Sequence, residues 1–160
     1  MCTRLTTALV ALAAVLVAPP SHAIEMTGIG ARIGYAAPEA FDAALLFGAQ
    51  VEFSRPGGTI RFVPKLVYWE AKGVSDLNPS FDISISFDAA RSVSPYMGLG
   101  LSIHFLNVRT TETFARDTGG NLLAGVAFER TARRYFLESR YTIADMSQLS
   151  VLGGVTVALP

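Results

Sequence analysis

Large apolar residues alternate strictly with small polar ones along residues 81–88. Phe81, Ile83, Ile85 and Phe87 occupy the odd positions, and Ser or Asp occupies every even position. A period of two is typical of a β-strand, because successive side chains point to opposite faces of a sheet. One face of this segment is therefore expected to lie in an apolar medium and the other in a polar one.

The same alternation recurs along the chain and predicts eight strands and no helix. The predicted strands are residues 27–35, 43–53, 59–70, 81–88, 95–105, 121–129, 134–142 and 149–159. Pro64 interrupts the third of them, where a bulge is expected because proline cannot donate to a strand ladder. Strands of about 9 to 11 residues have the length that a tilted crossing of a bilayer needs.

The connections between the predicted strands alternate in length. Long loops are expected after strands one, three and five, and shorter turns after strands two, four and six. The loop after strand three is predicted to carry Gly73, Asp76, Asn78 and Pro79, and residues 107–120 are predicted as the longest connection. This rhythm favours an up-and-down antiparallel barrel whose long loops share one rim.

Apart from Glu70 at a strand end, the charged residues of the predicted strands fall on one face, which indicates which side of the barrel is apolar. That face is also rich in glycine, which would cover little of a water-exposed sheet but leaves room inside a narrow barrel for long side chains to pair. Aromatic residues lie near the strand ends of the other face, as in membrane barrels. The fold class is therefore predicted as all-β, an eight-stranded antiparallel transmembrane barrel with charge inside. The inward charges are predicted to be Arg32, Arg61, Lys65, Arg134, Arg140, Glu52, Asp82, Asp88, Glu129 and Glu138.

The first 23 residues have the pattern of a secretory signal peptide. Arg4 precedes an apolar run over residues 5–18, which is too short to span a bilayer, and Ser21 and Ala23 supply the small residues of a cleavage site. The predicted domains are a signal peptide over residues 1–23 and a barrel over residues 24–160. Cys2 is the only cysteine, so the exported chain is expected to have no disulfide.

With these features the chain resembles the small eight-stranded outer-membrane β-barrel proteins of Gram-negative bacteria, the opacity and surface-antigen type. The motifs that carry the resemblance are GIGARIGY from residue 28, PYMGLGL from residue 95, FLESRY from residue 136 and VLGGVTVAL from residue 151. The resemblance implies a monomer in the cell outer membrane, in contact with its lipid and lipopolysaccharide and inserted by the barrel-assembly machinery. Members of the family usually end in an aromatic residue, whereas this sequence ends in Leu159 and Pro160.

Ser102, His104 and Glu129 form one candidate catalytic trio. They share the inward face of strands five and six, and these residue types can serve as nucleophile, base and orienting acid. Related barrels that deacylate lipid A place such a trio toward lipid, whereas these three side chains face the lumen. We interpret them as an interior polar network, so no catalytic, cofactor-binding or metal-binding residue is predicted.

The expected role is structural or surface interaction, without catalysis and without a cofactor. Thirteen basic residues balance thirteen acidic ones, so no nucleic-acid partner is expected, and any surface partner would contact the loops. In a lumen filled by side chains, paired plugs are favoured over a channel. Two alternatives stay open: a lipid A-modifying hydrolase that uses Ser102 and His104, and a soluble lipocalin-like ligand-binding barrel with its apolar face inside.

Overall fold

The computed structural model describes residues 24–87, 92–109 and 113–159, which form a closed barrel of eight antiparallel strands. Each strand pairs with its neighbours in the sequence, and β8 pairs with β1 from Gly28↔Ala158 to Pro38↔Gln148. The predicted signal peptide lies outside the described residues. The strands are β1 (Glu25–Pro38), β2 (Ala44–Ser54), β3 (Ile60–Ala71), β4 (Val74–Ser86), β5 (Val93–Val108), β6 (Thr113–Arg130), β7 (Arg133–Ile143) and β8 (Gln148–Ala158).

The predicted fold class is confirmed, since the strand number, the antiparallel order and the alternation of faces are all observed. Closure matters physically because it removes the two free edge strands of an open sheet, whose unpaired backbone groups would otherwise be exposed. Over the described part of the chain, no helix has the length and apolar character needed to cross a membrane.

The barrel has two rims, which we name by the chain ends. The terminal rim carries residues 24 and 159, the connections 55–59 and 131–132, and the facing ends of β4 and β5. The distal rim carries the connections 39–43, 72–73 and 144–147 and the facing ends of β5 and β6. The predicted alternation of long loops with short turns is therefore wrong, because no fully described connection on the distal rim exceeds five residues and only four sequence positions separate β5 from β6.

The first correction concerns β4, which begins at Val74 although residues 73–79 were expected to be a loop. Asp76 and Asn78 are disfavoured in most strands, but here both point into the polar lumen and are buried. A two-residue turn joins β3 to β4, with positive φ at Lys72 (32°) and Gly73 (86°). Such turns suit a tight hairpin, because positive φ at both central residues matches the twist of the paired strands.

The second correction concerns the predicted longest loop, residues 107–120. Most of it is strand: β5 runs to Val108, and β6 begins at Thr113. The last pair between β6 and β7 is Gly120↔Ile143, so the β5–β6 hairpin extends seven residues of β6 beyond β7. This part of β6 resembles a loop in sequence because, after Phe114, its outward positions carry Arg116 and Thr118 rather than large apolar residues.

The Pro64 bulge is also a correction. The β2–β3 register is the same at Gln50↔Lys65 and at Phe53↔Phe62, so no residue is inserted between those pairs. Within that fully described stretch, the intervening residues form no β2–β3 pairs, whereas Pro64 still pairs with Phe81 of β4. A short gap in one ladder therefore takes the place of a bulge, as expected for a residue without an N–H.

The two faces of the sheet have the predicted contents. Large apolar side chains point outward along every strand, and Leu99 and Leu101 are 62% and 73% exposed. The soluble ligand-binding alternative required the apolar face inside, and the structure has the opposite arrangement. The buried charged and polar residues include Arg32, Gln50, Glu52, Lys65, Asp76, Asn78, Asp82, Ser102, His104, Asn121, Glu138, Arg140, Thr142 and Gln148.

Candidate functional site

The middle of the lumen holds five interlocked charges, which we call the central cluster: Arg32, Lys65, Asp82, Glu138 and Arg140. The Asp82 carboxylate accepts from both the Lys65 ammonium and the Arg140 guanidinium. Arg140 Nη2 lies 2.9 Å from Glu138 Oε1, and Arg32 Nη1 lies 3.4 Å from the same oxygen. Burying these charges is tolerable only because each has a partner of opposite sign.

Four different strands supply the side chains of the central cluster. Strand β5 contributes a glycine at the facing position, which leaves space for them. Arg32, Lys65, Asp82 and the β7 pair all come from inward positions of β1, β3, β4 and β7. At the facing position of β5 the chain has Gly100, where an added Cβ would lie 2.1 Å from Asp82 Oδ1. A larger residue there would displace the carboxylate on which both cations depend.

The charges continue toward the terminal rim through Glu52. Gln50 Nε2 donates to Glu52 at 2.8 Å, and Arg134 Nη1 donates to Glu52 Oε1 at 3.0 Å. At the mouth itself, Arg61 Nη2 lies 2.9 Å from Glu129 Oε1. The Arg134 guanidinium also lies over the Tyr96 ring, 5.2 Å from its centroid. The chain therefore fills the lumen from its middle to this rim with paired side chains.

A second group, the distal cluster, lies nearer the opposite rim and consists of Asp76, Asn78, Ser102, His104, Asn121 and Thr142. His104 Nδ1 is 2.7 Å from Asp76 Oδ2, and His104 Nε2 is 3.2 Å from Ser102 Oγ. The Asn78 amide is 2.8 Å from His104 Nε2, and Thr142 Oγ1 donates to Asn121 Oδ1 at 2.9 Å.

The acid that contacts His104 is Asp76 rather than Glu129, so the candidate trio does not assemble. Glu129 does face the lumen side of β6, but it pairs with Arg134 at the terminal rim. His104 lies opposite Asp117 in the β5–β6 register, twelve residues from Glu129 and about 40 Å away along the strand. Asp76 lies in a segment predicted as a loop. Its alternation with Leu77, between the polar Asn78 and Ser80 and the apolar Phe81, is the signal that indicates a strand there.

In chemical terms Asp76, His104 and Ser102 form an acid–base–hydroxyl chain in the order that nucleophilic catalysis uses. Ser102 is 3% exposed, and its hydroxyl is also within 3.3 Å of the Gly119 carbonyl oxygen. The cavity beside His104 has a volume of about 20 Å³. A site of that size holds about one water molecule and no acyl substrate.

The lumen charges balance within the described residues. Asp88, one of the predicted inward acids, lies outside the described residues. Asp76, which was not predicted to face inward, is the fifth acid in the balance. No group of three or more His, Cys, Asp or Glu side chains in the described part of the chain is arranged to hold a metal ion. The basic lumen residues are Arg32, Arg61, Lys65, Arg134 and Arg140, and the acidic ones are Glu52, Asp76, Asp82, Glu129 and Glu138.

The distal rim carries exposed ion pairs of a different kind. Lys72 Nζ lies 2.6 Å from Asp42 Oδ2, and this hydrogen bond raises the pKa of Lys72. Arg109 Nη1 lies 2.9 Å from Glu70 Oε1. Pairs this exposed contribute little to stability, because water screens them and their side chains lose entropy on pairing.

Comparison with known proteins finds the likeness in structure rather than in sequence. No protein-family model matches the chain, and no curated protein matches it. Among solved structures, the crystal structure of Neisserial surface protein A superposes with a TM-score of 0.63 at 17% identity, covering 83% of this chain and 96% of that one. The chain has the fold of a small transmembrane β-barrel. A de novo designed transmembrane β-barrel also superposes, with a TM-score of 0.52 at 8% identity, covering 84% of this chain and 98% of the design.

Proposed function

We propose that this chain is a small outer-membrane barrel with a sealed lumen and a structural or surface-contact role, without catalysis. The observation that carries the proposal is the inversion of its faces. Arg32, Asp82 and Glu138 are almost fully buried, while Leu99 and Leu101 are mostly exposed. In water this arrangement would expose a continuous apolar belt, whereas in a bilayer the belt meets lipid and the lumen keeps its own partners.

The aromatic residues of the outward face support a bilayer as the surrounding medium. Phe47 and Tyr68 pair across β2 and β3 toward the distal rim, with ring centroids 5.4 Å apart. Phe128 and Tyr135 pair across β6 and β7 toward the terminal rim. Aromatic residues at two levels match the girdles by which membrane barrels anchor at both interfaces.

The proposed location and partners follow from the resemblance and the predicted signal peptide. Export would place the terminal rim in the periplasm and the distal rim outside the cell. The assembly machinery would insert the monomer, and the outward face would contact membrane lipid and lipopolysaccharide. These partners belong to the proposal and call for a direct test of membrane insertion.

Surface contact, if the protein makes one, would involve the β5–β6 extension rather than long loops. Phe114 is 66% exposed on this hairpin and stacks on Phe105, with ring centroids 6.0 Å apart. Arg116 lies over the Phe105 ring, 5.9 Å from its centroid. An exposed aromatic beside a cation is the kind of patch that protein partners and lipopolysaccharide phosphates contact.

The hydrolase alternative depends on Ser102 and His104, and the enclosure of both side chains argues against it. A fluorophosphonate probe, which labels activated serines, should leave the wild-type protein unlabelled in native membranes and also after detergent extraction. Ser102→Ala serves as the control for background labelling. Labelling of the wild type that Ser102→Ala abolishes would establish a nucleophilic serine and overturn the proposed lack of catalysis.

Membrane insertion is tested by carbonate washing of cell envelopes, followed by electrophoresis in dodecyl sulfate with and without boiling. We expect the protein to stay in the outer-membrane pellet and to run faster before boiling, because a closed barrel resists the detergent. Recovery only in the soluble periplasmic fraction, with no shift on boiling, would refute the membrane assignment.

A further inference from the structure

A small cavity separates the two polar clusters of the lumen. Its volume is about 20 Å³. Its lining includes Arg32 and Arg140 of the central cluster and Asp76, His104 and Asn121 of the distal cluster. The cavity therefore lies where the two hydrogen-bonded groups would otherwise meet.

Four residues that line this cavity carry a buried polar atom with no hydrogen-bond partner among the described residues. The atoms are Trp69 Nε1, Asp76 Oδ1, Asn121 Nδ2 and Gln148 Oε1. A buried polar group without a partner destabilises a fold, so four around one cavity point to a shared ligand.

Whether each of these atoms donates or accepts a hydrogen bond is fixed by its chemistry and by the other bonds of its side chain. Trp69 Nε1 can only donate, and an ionised Asp76 can only accept. Asn121 Oδ1 already accepts from Thr142, which turns its amide nitrogen the other way. Gln148 Nε2 donates to Ser150 Oγ at 2.9 Å, which leaves its oxygen unpaired. The cavity thus offers two donors and two acceptors.

We propose that one ordered water molecule binds in this cavity and bridges the two clusters. Water accepts two hydrogen bonds and donates two, which matches the four atoms, and one water needs about 10–15 Å³ of such volume. A metal cation would be repelled by the Trp69 N–H, an anion would be repelled by the Asp76 carboxylate, and a larger ligand would not fit. The water completes the hydrogen-bonding of Asp76 and makes the polar filling of the lumen continuous.

Trp69 provides a direct test because it is the only tryptophan of the chain. In the full-length folded protein, labelled with nitrogen-15 in deuterated micelles, its indole N–H gives one assignable resonance. We expect a nuclear Overhauser cross-peak between this N–H and the water resonance. Its sign should be the one that a long-lived water contact gives. Its absence from the folded wild type, or a resonance shifted by a direct bond to a side-chain oxygen, would overturn the proposal.

Two serine substitutions make the test specific to the cavity. Ser150 lines it, so Ser150→Val should fill the space with methyl groups and remove the water cross-peak while the shift on boiling persists. Ser80→Val is the same change at a buried β4 position outside the lining and should leave the cross-peak unchanged. If Ser150→Val folds and keeps the full cross-peak, the water lies elsewhere and the proposal fails.

A crystal structure soaked in a thallium salt separates water from a monovalent cation, the nearest competing occupant. We expect a peak of water density with four hydrogen bonds and no anomalous signal. An anomalous peak in the cavity would replace the water with a cation and contradict the proposal.

Discussion

At the scale of single residues, Asp82 is the carboxylate of the central cluster that pairs with Lys65. Its two oxygens accept from Lys65 and from Arg140, and it is 1% exposed. Removing one member of a buried ion pair costs more than the pair itself contributes, because the remaining charge stays desolvated. In this lumen the loss of Asp82 would leave Lys65 without its ion-pair partner and Arg140 with Glu138 alone.

Asp82→Ala should therefore be strongly destabilising. We expect a loss of about 3–5 kcal/mol in the free energy of unfolding, read from urea titrations of the barrel in lipid vesicles. Glu129→Ala is the matched control, because the Glu129 side chain is 41% exposed at the mouth, where an ion pair contributes about 1 kcal/mol or less. Equal losses in the two variants would contradict the central role assigned to Asp82.

A second expectation concerns the glycine that faces Asp82. Gly100→Ala puts a Cβ 2.1 Å from Asp82 Oδ1 and 2.5 Å from the Phe81 carbonyl oxygen, which cannot move far within the ladder. We expect a loss of about 1–3 kcal/mol, the usual effect of overpacking. Gly120→Ala is the control, since no atom lies within 4 Å of its added Cβ. Thermal loss of the unboiled band measures both variants, and similar midpoints would refute the steric argument.

Individual residues also show where sequence reasoning succeeds. Arg32, Lys65, Asp82, Glu138 and Arg140 were assigned to the lumen correctly, because period two fixes the face of every strand residue. Which charges touch was not predictable, since those contacts depend on register and shear across distant strands. Asp76 was missed for a different reason: a polar lumen allows Asp in a strand, where strand propensity disfavours it.

At the scale of elements, β3 contains the only proline whose effect on pairing was anticipated. Its ladder to β4 continues through Pro64↔Phe81, while the ladder to β2 is interrupted at Val63 and Pro64. The missing N–H of Pro64 therefore affects the seam with β2. The sequence predicted a disturbance at this position but not its form, because whether a strand bulges or skips a bond depends on its neighbour.

Pro64→Ala should repair that seam. The new N–H can donate toward β2, and one net hydrogen bond contributes about 0.5–1.5 kcal/mol. We expect a corresponding gain in unfolding free energy and slow hydrogen exchange at the residue 64 amide. Pro79→Ala on β4 is a second test, because the β4–β5 ladder has the same gap between Leu77↔Phe105 and Ser80↔Ser102, and we expect a similar gain. Fast exchange at residue 64 with unchanged stability would show that the gap has another cause.

At the scale of the whole molecule, the lumen is closed at several levels by paired side chains. The central cluster and the Arg61–Glu129 pair obstruct the route to the terminal rim, and eight strands leave an interior just wide enough for side chains. The sequence predicted this filling from its balance of inward charges. It did not predict where the strands end at the rims, because beyond the apolar belt a loop and a strand extension both carry polar residues.

A sealed lumen should not conduct. In planar bilayers at neutral pH we expect no steps of ionic current from the purified wild-type barrel. Asp82→Ala combined with Arg140→Ala opens the middle of the lumen and tests whether the assay can detect a pathway. Regular current steps from the wild type would contradict the sealed lumen and favour a pore.

The medium around the barrel can be decided by placing a charge on its outward face. Leu99 lies six residues above the start of β5, about 15 Å above the terminal rim for a strand tilted by roughly 40°. That is near the middle of an apolar band about 25 Å tall, where an outward arginine costs about 2–4 kcal/mol. Val93 faces the same side at the first residue of β5, where the cost is about 0–1 kcal/mol.

Leu99→Arg should therefore lose much more unfolding free energy than Val93→Arg, in urea titrations of the protein folded into lipid vesicles. If water surrounded the barrel, both substitutions would replace an exposed apolar side chain and each would stay within about 0.5 kcal/mol of wild type. The difference in unfolding free energy between the variants thus measures the effect of position within the apolar band, because strand, face and substituent are the same in both. Equal effects would mean that the exposed apolar face does not meet lipid, and the membrane assignment would fall with it.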